Sequence, residues 1–200
     1  MGLKTHKLIK AFEANKGILR FSRILKEGFH RKQLKALFDS GKIRRMGRGL
    51  YQLTDAPALS NPDLVSAVLQ SPKSVVCLIS ALSFHEVTDA IPRRVDLAIP
   101  KGSRANKIEY PPVKFFNFSE VAWKAGIETH KIDGHDVRVF DLAKTIADCF
   151  KFRNKIGYDT AQKALKVAVT EKHIRPAKIM EYAKICRVAN VMRPYLEALI

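Results

Sequence analysis

Seven side chains in the first fifty residues have the type and spacing to grip a polyanion: Arg31, Lys32, Gln33, Lys35, Arg44, Arg45 and Arg48. Six are cations, and Gln33 adds an amide that both donates and accepts. The first four fall on a segment with helical spacing. With Leu34 at the centre of a buried face, a step of about 100° per residue puts Lys32 and Ala36 opposite it, with Gln33 and Lys35 at their flanks. Long donors around one small residue can meet base edges and phosphates in the major groove of DNA. Arg44, Arg45 and Arg48 surround a Gly-Arg-Gly turn, where guanidinium groups suit backbone phosphates or the minor groove. A merely solvated face would not need its charges at groove-facing positions. Lys4, Lys7 and Lys10 have no such placement and are read as solvation.

These side chains need elements to hold them. Leu8, Ile9 and Phe12 recur at helical spacing and predict a first helix near residues 4–15, ending before Lys16-Gly17. Ser22 is a candidate N-cap for a short helix over 22–27, with Ile24 and Leu25 inward and Gly28 as its stop. A third helix is expected over about 30–39, with Leu34, Leu37 and Phe38 on its inner face and Gly41 beyond its end. Residues 43–53 read as two short strands around Gly47-Arg48-Gly49. Helix, helix, turn, helix and hairpin is the order of a winged helix-turn-helix.

The whole chain is consistent with that reading. Of its 200 residues 46% are apolar and 28% charged, which excludes collagen-like, low-complexity and wholly disordered chains. Lys+Arg outnumber Asp+Glu by 36 to 19, a formal charge of +17. Residues 1–55 hold 14 of the bases and only four acids, while the other 145 residues carry +7. That asymmetry marks the first segment as a module with its own task. Cys77, Cys149 and Cys186 are odd in number, widely spaced and set among apolar neighbours. They read as buried hydrophobes in a reducing compartment rather than a disulfide framework or zinc ribbon. No apolar run has signal-peptide or membrane-spanning length, so a cytoplasmic location is expected, with no membrane partner.

The connector 55–62 divides the expected domains, 1–55 and 60–200. Ser60 or Asn61 can cap a helix that starts at Pro62. A buried helix is expected near 74–86, strands at 94–100 and 113–118, and a hairpin of 127–132 with 135–139 around Asp133-Gly134. From Asp141 helices are expected over 141–152, 159–171, 176–186 and 190–199. The larger domain is therefore α+β, a small sheet with a helical C-terminal half. No catalytic constellation emerges. His130 and His135 straddle the Asp133-Gly134 turn but lack further ligands, and His85-Glu86 lacks the second His of a zincin. Asp96 has no Glu-x-Lys on a paired strand and is read as facing Arg93 or Arg94 on the surface. Neither a metal site nor a cofactor site nor enzymatic activity is expected.

Three blocks in order resemble the AbiEi-type antitoxins, transcriptional regulators of type IV toxin–antitoxin systems. They are the stretch from Gly41 to Tyr51, then Ser80 to His85 with Ile91 to Val95, and finally Val139 to Phe150 with Phe152 to Gly157. The resemblance implies a winged-helix domain that binds repeats in its own promoter and a C-terminal antitoxin domain. It also implies a nucleotidyltransferase-like toxin opposed functionally rather than in a stable complex. His30 departs from the Ser or Thr cap common in such modules. The residues alone leave two alternatives: an enzyme targeted to nucleic acid by the first domain, and a protein-interaction module whose DNA contact is incidental. The C-terminal bases, among them Lys151, Arg153, Lys155 and Lys166, read as a solvated helix face.

Overall fold

The structure, a computed structural model, describes residues 3–199, with side chains from residue 5; the side chain of Lys4 lies outside that range. The chain divides into two compact units. The first comprises the segment up to Pro72 with Asn106–Pro112 and Lys131–Val137; the second comprises Lys73–Ala105, Val113–His130 and the chain from Arg138 onward.

In the first unit α1 (Leu3–Ala14) leads to a strand, β1 (Ile18–Arg20), and then to α2 (Phe21–Lys26) and α3 (Arg31–Asp39). The hairpin β2 (Ile43–Gly47) and β3 (Leu50–Leu53) follows, and the three strands form a sheet in the order β1-β3-β2. Leu8, Phe12, Ile24, Leu34 and Leu37 bury together beneath the helices. The expected hairpin is present, with Ile43 opposite Leu53 and Arg45 opposite Tyr51. Three expectations are corrected. Ser22 does not cap α2, because Arg20 occupies the cap position and the preceding residues are spent on β1, which pairs with β3. Three residues are too few to show a strand period, so β1 left no pattern to read. Leu25 and Phe38 are exposed rather than inward, at 42% and 48%. Ile24, Leu34 and Leu37 fill the inner face together with Leu8, Phe12, Leu19 and Ile43, and neither Leu25 nor Phe38 joins that cluster.

The helix α4 (Pro62–Gln70) closes the first unit. Asn61 caps it as expected, its side chain accepting from the Leu64 N–H at 3.2 Å. Val65 packs with Ile18 and Leu50 on the back of the wing sheet. At the helix end the Gln70 amide donates to Ser66 and to the Tyr110 carbonyl, and the Asn106 amide donates to the Gln70 carbonyl at 2.7 Å. Gly47 in the wing lies directly on this side chain: a Cβ there would sit 2.6 Å from the Gln70 amide.

The second unit is α+β, as the sequence predicts. It holds β4 (Val75–Val76), α5 (Leu78–Phe84), β5 (Val95–Pro100), β6 (Val113–Phe118) and α6 (Glu120–Lys124). The hairpin strands β7 (Ile127–Ile132) and β8 (His135–Phe140), whose tip Lys131–Val137 is counted with the first unit, complete a five-stranded sheet in the order β6-β5-β4-β8-β7. The helix expected over 74–86 gives way at its start to β4, which pairs antiparallel with β5 through both residues and parallel with β8 through Val76. An apolar run of that length cannot by itself distinguish a buried strand from a buried helix. Then come α7 (Leu142–Lys151), α8 (Arg153–Ile156), α9 (Tyr158–Thr170), α10 (Pro176–Ile185) and α11 (Ala189–Glu197). Asp141 caps α7 as expected, accepting from the Lys144 N–H at 2.8 Å.

α7 is buried almost throughout, polar residues included. Lys144 Nζ lies 2.6 Å from both carboxylate oxygens of Asp148 and 4.2 Å from the centre of the Phe140 ring. Burial pushes the Asp148 carboxyl up to about 6, against the pull of Lys144. Cys186 donates to the same carboxylate, and its thiol is pushed up to about 12 by burial and by that negative charge. Cys77 and Cys149 are likewise raised by burial, and all three cysteines are free.

Candidate nucleic-acid interface

α3 and the wing turn define a groove of about 550 Å³ in the first unit. Four of the seven residues singled out from the sequence line it: Arg31 and Lys35 from α3, Arg45 and Arg48 from the wing. Phe21, Phe38 and Tyr51 supply its aromatic surface, and Arg31 stacks over Phe21 with 5.3 Å from guanidinium carbon to ring centre. Phe21 also ties the two sides together, its N–H donating to the Gly49 carbonyl at 2.7 Å. Among the described residues no carboxylate lines this groove. A second cavity of about 500 Å³, lined by Glu13, Asp55 and Asp133 with Lys16, has the wrong sign for a polyanion.

The other three sequence-selected residues have different placements. Lys32 is exposed on α3 but does not line the groove. Gln33 uses its side-chain carbonyl to accept the His30 backbone N–H at 2.7 Å, so the helix start is closed from N3 in spite of the unusual cap residue. Only its amide N–H groups remain to point outward. Arg44 donates from Nε and Nη2 to the side-chain carbonyl of Gln52, at 3.0 and 2.7 Å, across the β2–β3 pair. Arg45 donates to the Gly47 carbonyl at 3.1 Å and so holds the wing turn while lining the groove.

The sequence reading missed the aromatic members. Phe38 stands seven residues after Arg31, two turns along the same stripe, and that spacing was the available signal. Phe21 had none, since its place depends on β1.

The other residues with chemistry to offer have structural partners. Asp96 accepts from Arg94 at 3.1 Å as expected, but it is buried rather than superficial, and burial raises its carboxyl. His85 lies 2.8 Å from the Phe140 carbonyl. His130 lies 3.2 Å from Glu128 and packs edge-on against Phe84. Among the described residues no group of three His, Cys, Asp or Glu side chains could hold a metal ion. Among them, too, no helix is long and apolar enough to cross a membrane.

The helix order, the three-stranded sheet and the groove between helix and wing define a winged helix-turn-helix module followed by an α+β unit. Residues 6–54, the first quarter of the chain, match the family model described as transcriptional regulator, AbiEi antitoxin. This is the family the sequence resembles, and the match is confined to the winged helix-turn-helix module. No curated protein matches the chain. Among solved structures, the crystal structure of RV2827C protein from Mycobacterium tuberculosis aligns with 100% of this chain and 81% of its own. The TM-score is 0.57 and the identity 11%, so the likeness is one of fold alone.

Proposed function

We propose that the protein is a sequence-specific DNA-binding repressor, the antitoxin of a type IV toxin–antitoxin system, that occludes the promoter of its own operon. The observation that carries this reading is the groove between α3 and the wing, with four cations, three aromatic rings and no carboxylate among its described lining residues. When a recognition helix enters the major groove and a wing reaches the adjacent minor groove, the sugar–phosphate strand between them must pass along such a channel. The cations meet phosphate oxygens there, and the rings pack against sugars. Lys32 and the Gln33 amide, outside the groove on α3, are left to meet base edges. Arg44, already bonded to Gln52, shapes the wing and reaches phosphate with what donors remain.

In this reading residues 1–55 bind duplex DNA and residues 60–200 form the antitoxin domain. The protein acts in the cytoplasm by occupancy, with neither cofactor nor catalysis. A nucleotidyltransferase-like toxin is opposed functionally, not through a stable complex. The test is a footprint of the purified protein on the DNA upstream of its own gene. Protection of a repeat there is expected, and Arg45→Ala with Arg48→Ala should weaken binding to every duplex alike. Lys32→Ala should instead erode the preference for the repeat over a scrambled duplex by about 1–3 kcal/mol. Metal-dependent cleavage of the probe by pure protein would overturn the reading in favour of an enzyme.

A further inference from the structure

The second unit holds a cavity of about 210 Å³ among β6, α6, α7 and the end of α10. Its floor is Asp148, 0% exposed, whose carboxylate accepts from Lys144 Nζ at 2.6 Å and from the Cys186 thiol at 3.2 Å. Lys144 and Asp148 neutralise each other, so the charge that faces the cavity is that of two lining residues, Lys151 and Arg187. Both are exposed, and neither has a carboxylate partner among the described residues. Lys151 stands close enough for its charge to pull the Cys186 thiol down against the effect of burial.

Arg187 occupies a position that suits another residue better. It follows the Cys186 cap of α10 with a φ of 59°, the left-handed conformation that ends many helices and that glycine adopts without strain. Its N–H donates to the Lys184 carbonyl and the Val188 N–H donates to the Ala183 carbonyl, bonds that a glycine would leave intact. Closing the helix therefore gives no reason for a guanidinium here, whereas an anion in the cavity does. The walls say what the anion is attached to. Phe118 and Phe152 line the cavity with ring centres 5.1 Å apart, and such a surface gains from a flat apolar body rather than a bare ion. The volume lies below the roughly 300–1,000 Å³ of pockets for drug-sized ligands, which limits that body to about one ring.

We infer that this cavity binds a small aromatic acid, a single ring bearing a carboxylate or phosphate. Lys151 and Arg187 hold the acid group while the ring packs on Phe118 and Phe152. Arginine meets either head group with two parallel N–H donors, and lysine adds a point charge. The site goes beyond the DNA-binding function proposed above and does not depend on it.

The experiment is calorimetric titration of the full chain with benzoate, phenyl phosphate, inorganic phosphate and benzylamine. The proteins are wild type, Lys151→Gln/Arg187→Gly and Arg45→Gln/Arg48→Gln, each measured well below its melting temperature. Wild type is expected to take up one equivalent of benzoate or phenyl phosphate, and the tighter of the two identifies the head group. Lys151→Gln/Arg187→Gly should bind it more weakly by about tenfold or more, the loss of one charge-assisted hydrogen bond. Its melting temperature should not fall, because glycine relieves the left-handed position. Arg45→Gln/Arg48→Gln, altered in the groove of the first unit, should bind it as wild type does. Saturable binding of neither aromatic anion would overturn the inference, as would benzylamine binding more tightly than benzoate. Inorganic phosphate binding as tightly as phenyl phosphate would overturn it in favour of a plain ion site. Binding lost in Arg45→Gln/Arg48→Gln but kept in Lys151→Gln/Arg187→Gly would place the ligand in the other groove and overturn it too. None of these results bears on the promoter footprint, so the proposed function stands or falls separately.

Discussion

At Gln33 the side-chain carbonyl accepts the His30 N–H and leaves the amide N–H groups for other partners, so one residue can serve both the helix start and the surface of α3. Two substitutions separate these roles. Gln33→Ala removes the acceptor and should lower stability in urea denaturation by about 1 kcal/mol, the usual value of a cap bond. Gln33→Glu keeps an acceptor for the same N–H and should leave stability within about 0.5 kcal/mol, yet a carboxylate facing DNA should weaken promoter binding. Equal losses of stability in the two variants would exclude the capping role. The Lys144–Asp148 pair poses a different question, since a buried ion pair broken on one side leaves an uncompensated charge. Lys144→Met should therefore cost about 3–5 kcal/mol, and adding Asp148→Leu should restore much of it. The pair also has a pH signature. Burial holds the Asp148 carboxyl near 6, above its ordinary 3.8, so the folded chain binds this proton more tightly than the unfolded one. Its contribution is complete below about pH 4 and is lost as the pH rises through 6, where ionisation favours the unfolded state. Denaturation of wild type and of the double variant from pH 4 to 7 should show the wild type losing relative stability over that window. A flat difference would mean that the carboxylate is ionised throughout.

The wing is held in place by elements behind it. Because a Cβ on Gly47 would overlap the Gln70 amide, Gly47→Ala must displace a side chain bonded to Ser66 and Tyr110. A loss of about 1–3 kcal/mol is expected from such overpacking, relieved when Gln70→Ala is added. Thermal unfolding of the two single variants and the double variant measures the coupling, and additive losses would show that the contact is slack. Elements with a long period or a strong turn were legible in the chain: α1, α3, the wing with its Gly-Arg-Gly turn, the hairpin around Asp133-Gly134, and α7 behind its Asp141 cap. Those that escaped, β1, β4, α6 and α8, have two to five residues, too few to reveal a period. The bases of the groove were legible for a related reason. Lys and Arg announce themselves by charge, whereas Phe21, Phe38 and Tyr51 resemble core residues until packing shows which hydrophobic positions the core has filled.

For the whole molecule, charge is arranged in blocks, basic at both ends and neutral across 56–150. DNA affinity should accordingly fall steeply with salt, with a log–log slope of about −4 to −7 if roughly 5–8 phosphates are neutralised. A slope near zero in a titration between low and physiological salt would rule out backbone contact as the main source of affinity. The same division into units has a practical consequence through the three buried thiols. Cys77, Cys149 and Cys186 all belong to the second unit, and burial leaves them almost without thiolate at neutral pH. An alkylating reagent can reach them only when that unit opens, so the chain carries its own opening clock. Mass-resolved labelling times the excursions of the second unit, cysteine by cysteine, while the wing module, which has none, stays silent.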